Sequence, residues 1–69
     1  MGHVGVQVNG ELRSCPFGMS LLELLESLDL SLPGIAVAMD HRIVPKTDYA
    51  AITLEEGTAI EIVRAVGGG

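Results

Sequence analysis

Apolar and polar residues alternate with a period of two near the start of the chain and again near its end, and a helical pattern lies between them. In His3 to Val8, the valines at 4, 6 and 8 form one apolar face of a strand. Asn9-Gly10 follows and predicts a type I′ hairpin turn, because both central residues of that turn need positive φ. A second strand is expected over Glu11 to Cys15, with Leu12 inward and its charged neighbours outward. Pro16 and Gly18 should end it.

Ser20-Leu21-Leu22-Glu23 has the form of a capping box, in which the Ser20 hydroxyl accepts from the Glu23 amide and the Glu23 carboxylate accepts from the Ser20 amide. The helix it opens carries Leu21, Leu22, Leu24, Leu25 and Leu28 as an apolar stripe, with Glu23, Glu26 and Ser27 on the wet side. It is expected to stop near Asp29, ahead of a loop containing Pro33 and Gly34. Ile35 to Met39 is a continuous apolar run, the pattern of a central strand covered on both sides or nearly so. Asp40-His41 reads as a turn and Arg42-Ile43-Val44 as a short strand. Pro45 confines that strand to an edge. Lys46 to Thr53 lacks a clear period, and a single helical turn is expected around Asp48 to Ala51, pinned by Tyr49 and Ile52. After a turn at Glu55 to Thr58, a last strand over Ala59 to Val66 should point Ile60 and Ile62 inward and Glu61, Val63 and Ala65 outward.

Strand, strand, helix, strand, strand, strand is the order of an α+β, ubiquitin-like β-grasp: a mixed sheet of about five strands with one main helix across one face. Residues 1–66 are expected to form this domain and residues 67–69 a flexible C-terminal glycine tail. At 69 residues there is room for one core, and it must be aliphatic, since the chain has one Phe, one Tyr and no Trp.

Charge narrows the function. A net charge of −5 is the wrong sign for phosphate backbones, so nucleic acid is set aside; a partner with a basic face suits it better. No apolar run approaches the roughly 20 residues needed to cross a bilayer, so no membrane role is expected. The single cysteine, Cys15, and the lack of an apolar leader point to a reducing compartment, the cytoplasm.

No internal constellation carries chemistry. His3 and His41 have no ligand partners at metal-site spacing, so no metal is expected, and Cys15 lacks a neighbour that would lower its thiol pKa. Asp40 beside His41 has no nucleophile to serve, while Glu23, Glu26, Glu55 and Glu56 read as a solvated helix face and a turn. The chain is therefore not expected to be an enzyme. What is left is Gly67-Gly68-Gly69: bare backbone suited to a narrow tunnel, ending in a carboxylate that is ionised at neutral pH and a poor electrophile until activated. An ATP-using partner could activate it by adenylation.

Three segments resemble the sulfur-carrier family of thiamine biosynthesis, ThiS, across essentially the whole chain: the Asn9-Gly10 hairpin with the helix from Met19 to Leu28, the stretch Ile35 to Lys46 with its Val44-Pro45-Lys46 triplet, and Leu54 to Gly69. Family members often have Asn, Arg, an aromatic such as Trp, and Asp where Asp40, Lys46, Tyr49 and Thr58 stand here. The resemblance implies that Gly69 is adenylated by an E1-like adenylyltransferase, converted to a thiocarboxylate, and delivers sulfur to thiazole synthase. Gly67 and Gly68 would supply reach. No stably bound cofactor is implied, since ATP and the sulfur donor act through the activating enzyme, and the free chain is expected to be a monomer. Val63, Ala65 and Val66, aliphatic positions on the strand leading to the tail, are the expected docking surface. Other readings stay open at this point: a carrier for molybdopterin, cysteine or thiouridine synthesis, a ubiquitin-like modifier joined to lysines, or a plain interaction module with inert glycines.

Overall fold

Two tight turns of the kind that demands positive φ set the strand registers. In the computed structural model, which describes residues 2–30 and 34–64, Asn9 and Gly10 have φ of 53° and 83°, and Asp40 and His41 have 50° and 69°. The first turn joins β1 (His3–Val8) to β2 (Glu11–Pro16), and the second joins β3 (Ile35–Met39) to β4 (Arg42–Val44). Between the hairpins lies the helix α1 (Leu21–Ser27), and β5 (Ala59–Arg64) closes the described chain. The sheet order is β2-β1-β5-β3-β4, with β5 parallel to β1 and antiparallel to β3. This is the expected α+β, ubiquitin-like β-grasp, and no helix among the described residues is long and apolar enough to cross a membrane.

Register corrects one expectation for β2. The two-residue turn sets Val8 opposite Glu11, Val6 opposite Arg13 and Val4 opposite Cys15. Cross-strand partners share a face, so the odd positions of β2 lie on the helix side of the sheet, where only Cys15 reaches the core, and Leu12 joins Gln7 on the other side. Leu12 is accordingly 74% exposed, whereas Cys15 is buried. A second correction concerns β3. Its neighbours are β5 and β4, and only Ile35 and Val37 are fully buried, while Ala36 is exposed and Ala38 and Met39 are half-buried. The apolar run reflects small alanines on the open face, not cover on both sides. The central strand is β5.

The helix starts as its sequence dictates. The Ser20 hydroxyl accepts from the Glu23 amide at 3.1 Å, and the Glu23 carboxylate accepts from the Ser20 amide at 2.9 Å. The Leu21 and Leu22 amides donate to the carbonyls of Ile52 and Tyr49, and the Leu24 amide to that of Ser20. All four N–H groups of the first turn therefore have partners. The same bonds anchor the segment without a period, which forms a 3-10 turn at Lys46–Asp48, slightly earlier than expected. Tyr49 and Leu54 are buried along it, and Ile52 packs partly against the core.

At the other end the helix stops in a Schellman arrangement. The Asp29 amide donates to Glu26 and the Leu30 amide to Leu25, with Asp29 at φ 60° where glycine is usual. Leu21, Leu24 and Leu25 press into the sheet against Val4, Val6, Val8, Val37 and Ile60, while Glu23 and Glu26 stay wet.

Two measurements test this account. Leu25→Ala, at a site 1% exposed, should cost about 2–5 kcal/mol in equilibrium urea unfolding. Asp29→Gly should raise stability by about 0.5–1 kcal/mol in the same assay, since glycine relieves the left-handed strain but orders more backbone on folding. A loss of stability there would contradict the cap.

Candidate functional site

Of the residues singled out beforehand, Ala65, Val66, Gly67, Gly68 and Gly69 lie outside the described residues. Val63 lies within them, on β5, two residues before that point. It is 60% exposed and faces away from the helix.

Strand pairing shows what surrounds it. Val63 lies opposite Ala36, the next outward residue of β3 is Ala38, and Ala38 lies opposite Ile43 of β4, which is 74% exposed. Cross-strand neighbours of this kind stand about 4.5–5.5 Å apart at Cβ. Val63, Ala36, Ala38 and Ile43 therefore form one apolar patch on the open face, smooth in the middle because its centre is alanine. Glu61, opposite Ala38, is its acidic margin. Val63 is the expected member of this patch, whereas Ile43, expected only as part of a short edge strand, is a further one. The signal was available: a two-residue turn at Asp40-His41 pairs Met39 with Arg42 and thereby turns Ile43 outward. Leu12 is on the same face of the sheet but at the far edge, on β2, with Gln7 and β5 between.

The remaining candidates do not come together. His3 and His41 are exposed on separate elements, and among the described residues no three His, Cys, Asp or Glu side chains are grouped to hold a metal ion. Cys15 packs into the core; burial pushes its thiol pKa up, partly offset by the nearby Arg13 guanidinium. That is the opposite of an activated nucleophile.

Residues 6–69 match the model of the ThiS family. The chain is 33% identical over 61 residues to the sulfur carrier protein ThiS of Escherichia coli, covering 88% of this chain and 92% of that one. It is also 37% identical over 62 residues to a thiazole synthase of Paramagnetospirillum magneticum, where the match takes in 90% of this chain but only 19% of the relative's length. The crystal structure of the thiamine biosynthesis protein ThiS from Geobacter metallireducens superposes with a TM-score of 0.82 at 23% identity, covering 96% of this chain and 100% of that one, and shows the same fold. The described residues thus form a small ubiquitin-like β-grasp domain. The chain belongs to the ThiS family.

The buried thiol gives a direct check. A thiol-specific reagent at neutral pH should label Cys15 slowly in the folded chain and rapidly in denaturant; equal rates would place the side chain outside the core.

Proposed function

We propose that this chain carries sulfur for the thiazole part of thiamine, with the C-terminal carboxylate of Gly69 as the carrying group. The observation that supports this most is that the family match runs from residue 6 through Gly69, so that it takes in the tail as well as the domain. In the first step a carboxylate oxygen of Gly69 attacks the α-phosphorus of ATP on an E1-like adenylyltransferase and pyrophosphate leaves. Adenylation makes AMP the leaving group. A sulfur nucleophile at the oxidation level of sulfide then adds to the acyl carbon and expels AMP, leaving a thiocarboxylate. Its sulfur is in turn the nucleophile toward the thiazole precursor on thiazole synthase.

Each residue type fits its part. Gly67 and Gly68 have no side chains to obstruct a narrow channel, and nothing in the reaction asks the carrier for an acid or a base. The patch of Val63, Ala36, Ala38 and Ile43 is offered to the partners as a docking surface, and Ala65 and Val66 follow it in sequence toward the tail. A thiazole synthase that contains, within its own length, a segment similar to this chain is consistent with thiazole synthase as the second partner. The acidic surface favours a basic face on whichever protein binds.

Intact mass after incubation with the cognate activating enzyme, ATP and a sulfide source tests the reading. Exchange of one oxygen for sulfur at the C terminus is expected. An isopeptide adduct would indicate a modifier, and an unchanged mass an inert module. Deleting Gly69, or adding a residue after it, should abolish the exchange while urea unfolding stays near wild type. Ile43→Asp should slow loading yet shift stability by no more than about 0.5 kcal/mol, as surface substitutions usually do. Loading at the wild-type rate would remove Ile43 from the docking surface.

A further inference from the structure

β5 is held unequally along its two sides. Beside β3 it is paired over its whole upper part, from Met39 opposite Ile60 to Ile35 opposite Arg64. Beside β1 the paired residues are only Gln7 with Ala59 and Val8 with Ile60. Past Val8 the chain enters the Asn9-Gly10 turn and reverses into β2, so no further backbone of β1 lies next to Ile62.

Asn9 fills that gap with both its backbone and its side chain. Its amide donates to the Ile60 carbonyl at 2.8 Å, and its side-chain Oδ1 accepts from the Ile62 amide at 2.8 Å. The amide group of Asn9 thus stands where the carbonyl of a longer β1 would stand and adds one rung to the parallel ladder. Ile62 is two residues before Arg64, the last described residue, and the chain continues from there toward the glycines.

We propose that Asn9 is a positioning residue for loading: its side chain latches the end of β5 and so fixes the direction in which the tail leaves the domain. The proposal rests on the carrier reading given above. Its physical basis is the cost of ordering. A partner must thread the tail and seat the patch together, and a strand end that frays must be ordered again at each encounter. Asn-Gly is already a good hairpin turn, so the turn alone would accept other residues at position 9; the acceptor to Ile62 is the further demand.

Two substitutions separate the turn from the latch. Asn9→Gly keeps a residue that takes positive φ freely but removes the acceptor, whereas Asn9→Asp keeps both. Amide hydrogen exchange and loading kinetics are measured on the full chain for each. For Asn9→Gly, exchange at Ile62 should speed up roughly two- to tenfold relative to the core amides of Val6 and Leu25, the range expected for one net hydrogen bond. The specificity constant for loading, kcat/KM, should fall with it, and Asn9→Asp should restore both toward wild type. The latch is overturned if Asn9→Gly leaves exchange at Ile62 unchanged, and its role in loading is overturned if exchange rises but kcat/KM does not fall. Failure of Asn9→Asp, which keeps both turn and acceptor, to restore exchange and loading would overturn the side-chain acceptor as the cause of the defect. A wild-type chain that takes up no sulfur would defeat the carrier reading and the loading role together, while the exchange data would still decide the latch.

Discussion

The pairing of β1 with β5 joins the two ends of the chain, and the rest of the sheet depends on it. Without it the molecule separates into an N-terminal hairpin and a three-stranded unit of β5, β3 and β4. Yet its backbone register covers only Gln7–Ala59 and Val8–Ile60. Further hydrogen bonds lengthen it at both ends. Below, the Glu56 carboxylate accepts from the Gly5 amide at 2.8 Å and the Gly57 amide donates to the Gly5 carbonyl; above, Asn9 accepts from Ile62. A Cβ at position 5 would stand 3.2 Å from the Glu56 carboxylate, so glycine there allows the turn to close against the strand. Closing a loop of about fifty residues is entropically costly, though the cost grows only slowly with length. Burial of Val6, Val8 and Ile60 across the seam offsets it.

The helix is short and depends on its surroundings. Seven residues are too few to be helical alone in water. The helix is held by the capping box, by the carbonyls of Tyr49 and Ile52 at its start, and by three leucines against the sheet. Because it is the only α-helix among the described residues, the sheet has one covered face and one open face. The open face is where Val63, Ala36, Ala38 and Ile43 meet, so the exposed patch follows from the same economy of elements that builds the core.

Much of this was legible in the sequence because the signals were local. Asn9-Gly10, the Ser20–Glu23 capping box and the alternation of Val4, Val6 and Val8 each specify their own neighbourhood, and the strand and helix order followed from them. The misplaced features were those decided by pairing. Leu12 is the most apolar residue of its strand, and hydrophobicity alone turned it inward, but the two-residue turn puts it opposite Gln7 and outside. The run Ile35 to Met39 suggested burial on both faces, since a sequence does not show that Ala36 and Ala38 lie on the side with no helix. Ile43 belongs to the patch only through its partner Ala38, a contact between strands. Of the expected site, Val63 alone falls within the described chain; the tail was read from composition and family likeness.

The chain belongs to a family of sulfur carriers, and the polar groups of its described body serve the fold. Acid–base and nucleophilic catalysis need titratable groups whose environment shifts them toward the reaction. Among the described residues no polar or charged side chain is buried, and Cys15 is shifted toward the unreactive thiol. The polar side chains that make hydrogen bonds among the described residues, Asn9, Ser20, Glu23, Ser27, Glu56 and Thr58, are spent on the two ends of the helix, the parallel seam and the last turn. A partner that supplies the chemistry requires of such a body a recognisable face and a strand end held in a defined direction. Both lie on β5, where Val63 faces outward beside the alanines and Ile62 is tied back to Asn9. On the reading proposed above, recognition and aim share one strand: Val63 belongs to the face offered to a partner, and the Ile62 amide, bonded to Asn9, holds the described end of that strand.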